Sequence, residues 1–116
     1  MDPKHVVIAM DKFIKALLLG TAAGIIDVIP MVLQGLSWQA NLSALLHWVA
    51  LGIIITFARL PLSHWLSGMV IAVLTGIPIA VLATETTPMA WFPILVASIV
   101  LGSLLGYMSE KLILNQ

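Results

Sequence analysis

The chain has 116 residues, of which 61% are hydrophobic and 9% charged, with five acidic and five basic side chains. A mean hydropathy of +1.14 excludes an ordinary soluble domain, because so small a globule has too much surface to cover with so few polar groups. The absence of cysteine excludes disulfides, thiolate catalysis and cysteine-based metal sites.

Four apolar stretches, at about 16–33, 42–58, 65–83 and 90–108, approach the ~20 residues a helix needs to cross a bilayer. They predict an all-α, polytopic membrane protein, a four-helix bundle of two helical hairpins forming a single integral membrane domain over 1–116. Residues 1–15 form a lead-in. Asp2 is placed to cap it and Pro3 to fill its first turn, while Val6, Met10, Phe13 and Leu17 recur at helical spacing. This pattern predicts an amphipathic helix that lies at the interface or runs on into the first span. That span is expected to be retained rather than cleaved, since it exceeds the length of a signal-peptide core and Asp27 interrupts it.

The first span contains GTAAGIIDVIP, residues 20–30, with a carboxylate inside an apolar run. Ala16, Gly20, Ala23 and Gly24 share a helical stripe with Asp27, so the acid lies on the small-residue face. Small residues permit close approach between membrane helices, which turns this face toward protein or a cavity. A lipid-facing carboxylate would cost about 2.5–3.5 kcal/mol even on lenient scales. Pro30 has no N–H, which frees the carbonyl of Ile26 beside Asp27.

In the second span, which lacks a recognisable small face, His47 follows Asn41 by six residues, as Asp27 precedes Gln34 by seven. In an antiparallel arrangement both therefore reach roughly 9–10 Å inside the outer boundary. The third span brings Gly68, Ala72, Thr75 and Gly76 along one face, with Pro78 freeing the carbonyl of Leu74. The fourth steps Ser98, Gly102 and Gly106 at four-residue intervals. Asp27, His47, Thr75 and Ser98 are thus expected to form a polar layer in the outer half of the membrane. The free carbonyls of Ile26 and Leu74 add acceptors to it, and His47 is a candidate partner for Asp27. Spans 1 and 3 also align at an offset of 48, with Gly20 over Gly68, Asp27 over Thr75 and Pro30 over Pro78. This raises the possibility of a parallel internal repeat.

Charge sets the expected orientation. Lys4, Lys12, Lys15, Arg59 and Lys111 all fall on one side of a four-span threading, whereas the loops 34–41 and 84–89 carry only Glu85. Both termini are therefore expected in the cytoplasm, with the chain in the plasma (inner) membrane and not dually inserted. Aromatic residues cluster near the span ends, as interfacial anchors do: Phe13, Phe57, Trp65 and Tyr107 at one side, Trp38, Trp91 and Phe92 at the other.

No phosphate loop, zinc-protease motif or hydrolase triad is present, so neither enzyme activity nor a cofactor nor a metal is expected, and nothing supports nucleic-acid binding. His47 and His64 lie near opposite membrane faces and are not placed to ligate one haem. Two readings follow. The first is a small channel or transporter for protons, cations or a small solute, with Asp27 as its protonatable or cation-interacting centre. The second is an assembly subunit whose small-residue faces and Asp27 mediate helix packing. Besides the bilayer, the expected partner is a second copy of the chain or another membrane protein.

Overall fold

A computed structural model describes residues 3–114; the expected cap Asp2 lies outside them. The chain is all-helical: α1 (Pro3–Leu33), α2 (Trp38–Phe57), α3 (His64–Ala83), α4 (Trp91–Ser109) and a π-helical segment, Glu110–Leu114, that prolongs α4. All four helices are long and apolar enough to span a membrane. The lead-in and first span form one unbroken helix of 31 residues. At 1.5 Å per residue it is roughly 46 Å long, well beyond a hydrocarbon core of about 30 Å.

Local chemistry ends these helices. After Leu33, Gly35 takes φ 75°, and the amides of Gly35 and Leu36 bond back to Val32 O (3.0 Å) and Met31 O (3.1 Å). This is a Schellman closure, and its left-handed residue is the reason for a glycine at 35. Ser37 then starts α2, its side chain accepting from the Ala40 amide at 3.2 Å. At the far end, Leu60-Pro61 bars helix continuation and leaves a tight turn before Ser63 opens α3. Pro30 and Pro78 sit near the ends of α1 and α3, and both helices continue past them.

The helices pack as two close pairs, α1 with α2 and α3 with α4, and the pairs meet more sparsely. Each pair is drawn together by glycine. A Cβ on Gly52 of α2 would stand 2.5 Å from Ala16 O and 2.7 Å from the Gly20 Cα, so the two backbones are in contact there. In the other pair, Gly68 abuts the Gly102 carbonyl and Gly106 abuts that of His64. The small residues of α1, Ala16, Gly20, Ala23 and Gly24, are buried, as are Gly68, Ala72, Gly76, Gly102 and Gly106. The small face that the sequence did not reveal in α2 is the single Gly52, which suffices because the residues opposite are small.

Bulk from α2 fills the centre. Trp48, Leu51 and Ile55 are buried against Ala23, Ala72, Leu101 and Leu105. Outside, large apolar side chains such as Leu18, Ile25, Leu74, Val81 and Leu104 are more than half exposed. Helices apolar on every side suit hydrocarbon surroundings and not water.

Candidate functional site

Asp27 reaches the α1/α2 seam from the turn above Gly24 and is half-buried. Gly24 leaves room on α1 for the Trp48 side chain: a Cβ there would lie 3.2 Å from that of Trp48. The indole can therefore lie flat in the seam, with 2% of Trp48 exposed, and its Nε1–H donates to Asp27 Oδ2 at 2.9 Å. A hydrogen bond to a charged group is worth about 1.5–3 kcal/mol, comparable to the cost of placing a carboxylate in a membrane helix. Among the described residues the other oxygen, Oδ1, takes no hydrogen bond.

The bond expected between Asp27 and His47 is thus made by the next residue, Trp48. Consecutive helical residues point about 100° apart. When residue 48 faces α1, residue 47 turns toward α3. There His47 Nε2 lies 3.0 Å from Thr75 Oγ1, bridging the two helix pairs. The Thr75 hydroxyl donates to Ile71 O at 2.9 Å, with Ala72 O at 3.2 Å. With that single proton engaged, Oγ1 is an acceptor, so Nε2–H of His47 donates to it. Nδ1 is left as the site for a second proton or a further bond. The rings of His47 and Trp48 lie 5.6 Å apart, which joins the two hydrogen bonds into one row: Asp27, Trp48, His47, Thr75.

Ser98 stands apart from this row. It is 2% exposed, donates to Ile94 O of its own helix at 2.9 Å, and faces Gly76 in the α3/α4 seam. Its direction places it in packing. The side chains of Ile26 and Leu74, whose carbonyls Pro30 and Pro78 leave without a helical N–H, are 56% and 62% exposed, and the Thr75 hydroxyl is engaged by the carbonyls of Ile71 and Ala72. Trp48 is the residue that sequence reasoning missed. Its signal was an N–H donor at the depth of Asp27, able to fit the space that Gly20 and Gly24 leave.

Two cavities flank the row. A cleft of about 570 Å³ runs between the C-terminal half of α1 and the N-terminal half of α2, lined by Val28, Ile29, Val32, Trp38, Leu42 and Leu45. Another, of about 380 Å³, lies at the opposite end near Thr56, Arg59 and His64. Between them Leu51 and Ile55 are buried, 1% and 0% exposed. Among the described residues no group of three His, Asp or Glu side chains converges as a metal site would require. No protein-family model, curated protein or solved structure matches this chain.

Proposed function

We propose that the chain is a small integral membrane transporter or channel for protons or small cations, with Asp27 as its exchange centre. The observation that carries this reading is the row Asp27–Trp48–His47–Thr75. It crosses three helices and, among the described residues, leaves one carboxylate oxygen and His47 Nδ1 unengaged. A clamp that served packing alone would be expected to satisfy both carboxylate oxygens, because each unpaired polar atom in hydrocarbon is costly. Leu51 and Ile55, buried in the turns of α2 that follow Trp48, close the way along that helix as an occluded path requires.

In this reading all four helices are inserted, with both termini on the cytoplasmic face of the inner membrane, where the five basic residues gather. The helix pairs act as two hairpins of a parallel repeat. Two features support that: Gly20 lies against Gly52 as Gly68 lies against Gly106, and Thr75 lies at the position of Asp27. Thr75 is exposed at membrane depth beside half-buried His47. A second copy of the chain covering this face would keep the row out of lipid. The competing assembly-subunit reading draws on the same small faces, but here those faces are filled within the chain.

The test is reconstitution of wild type and Asp27→Asn in vesicles, with flux measured for protons, monovalent cations and small cationic solutes across a range of pH. Asparagine keeps an acceptor for Trp48 while removing the charge, so assembly is expected to persist and pH-dependent flux to fall. If neither protein moves any of these species and Asp27→Asn disperses the assembly, transport is refuted and the packing role stands.

A further inference from the structure

The five basic residues are equivalent in sequence, but the structure sets one of them apart. Lys12 and Lys15 lie along α1, where Lys15 pairs with Asp11 at 3.1 Å in a solvent-facing i,i+4 bridge. Arg59 instead stands at the mouth of the cavity of about 380 Å³, and it makes no ion pair among the described residues. The cavity is open on one side and lined by Thr56 and Phe57 at the end of α2, Leu60 in the following turn, His64 at the start of α3, and Leu114 from the π-helical segment. π-Helical turns are uncommon and gather at functional sites; here the widened turn brings the chain's last described residue into the wall.

The sign of this cavity follows from its lining. The carboxyl end of α2 and the amino end of α3 present opposite partial charges on its two sides, so side chains decide. The Thr56 hydroxyl is committed to Gly52 O at 2.6 Å. Among the described residues, Arg59 and His64 are the ionisable ones of the lining, and no acid belongs to it. Ser63 caps α3 without a side-chain bond, which leaves first-turn amides available beside them. Phe57, Leu60 and Leu114 supply an apolar flank. At about 30 Å³ per water the space holds roughly a dozen waters, enough for a phosphate group and the first carbons attached to it.

We infer that this cavity binds a phosphate monoester or diester, with the Arg59 guanidinium as the principal contact and Phe57, Leu60 and Leu114 against the attached carbons. A guanidinium suits this task because its planar fork matches two phosphate oxygens. The phosphate belongs to an anionic lipid headgroup or to a free anion. The inference rests on the membrane orientation proposed above but not on transport through Asp27.

The full chain in detergent micelles is titrated with phosphatidylglycerol, with phosphatidylcholine, and with inorganic phosphate, and bound species are counted by native mass spectrometry. Wild type is expected to hold one phosphatidylglycerol at least fivefold more tightly than phosphatidylcholine. Arg59→Gln is expected to lower that preference about fivefold, Arg59→Lys to lower it less, and Lys12→Gln with Lys15→Gln to leave it intact. Circular dichroism of each variant establishes that the helices persist. Competition by inorganic phosphate at millimolar concentration assigns the site to a free anion; indifference to it assigns the site to lipid. Equal losses in the Arg59 and lysine variants mean diffuse surface charge and overturn the site, as does a wild type with no preference. Flux through Asp27, assayed in phosphatidylcholine vesicles alone, succeeds or fails independently of these outcomes.

Discussion

Gly52→Ala tests the physical basis of the whole arrangement with one methyl group. The new Cβ would lie 2.5 Å from Ala16 O, 2.7 Å from Gly20 Cα and 2.8 Å from Gly20 N. All three are backbone atoms and cannot rotate aside. Carbon contacts are comfortable near 3.5 Å, so α2 must retreat from α1 by about 0.9 Å. Overpacking of this kind costs about 1–3 kcal/mol. The retreat also reaches Trp48, one turn away, whose 2.9 Å bond to Asp27 would open past about 3.5 Å and cease to count as a hydrogen bond. With that loss included, the expected destabilisation is about 2–4 kcal/mol. Reversible unfolding in mixed micelles, followed by helical circular dichroism, measures it, and tryptophan emission reports the indole. Gly20→Ala meets the same seam, with its Cβ 2.6 Å from Trp48 O. The double variant should therefore lose less than the sum of the two, since one separation relieves both. A Gly52→Ala protein within about 0.5 kcal/mol of wild type, with unchanged emission, would refute backbone contact at this crossing.

Three further outcomes follow from individual contacts. Trp48→Phe removes the donor to Asp27 Oδ2 and Asp27→Ala removes the acceptor; a double-mutant cycle of the two should give a coupling of about 1–2 kcal/mol, and additive effects would mean that the bond is absent. Gly76→Ala should destabilise because its Cβ would stand 2.7 Å from Ser98 Oγ but 3.7 Å from Ser98 Cβ. Ser98→Ala alone should cost less than about 1 kcal/mol and should rescue Gly76→Ala, which unfolding of the four proteins reads directly. Gly35→Ala has open space around it, so its expected loss of about 1 kcal/mol comes from φ 75° alone, and Gly35→Asn should recover part of it.

Much of the fold was legible because it is written in one-dimensional pattern. The second to fourth helices begin and end within a few residues of the apolar stretches, since hydrocarbon length and helix-stopping residues such as Gly35 and Pro61 are local properties. Of the two forms expected for the lead-in it takes the continuous one, for nothing between Met10 and Leu17 interrupts a helix. For the candidate site, sequence gives the position of a residue along its helix and not its direction. Counting residues from the loops put Asp27, His47, Thr75 and Ser98 at similar levels, because rise per residue is constant. Which side chain faces which depends on the rotation of each helix, and α2 is nearly uniform in hydrophobicity, so its sequence marks no inward face.

The sequence by itself determined four apolar helices, their charged and uncharged ends, and the presence of small residues on the same stripe as Asp27. Only the tertiary structure decided that Gly52 brings α2 against that stripe, that the carboxylate's donor is Trp48, that His47 turns to Thr75, and that Ser98 serves the other seam. The physical reason is close packing. Where two backbones touch at glycine, a rotation of one residue exchanges an imidazole for an indole, and the energy that selects between them resides in the neighbouring helix.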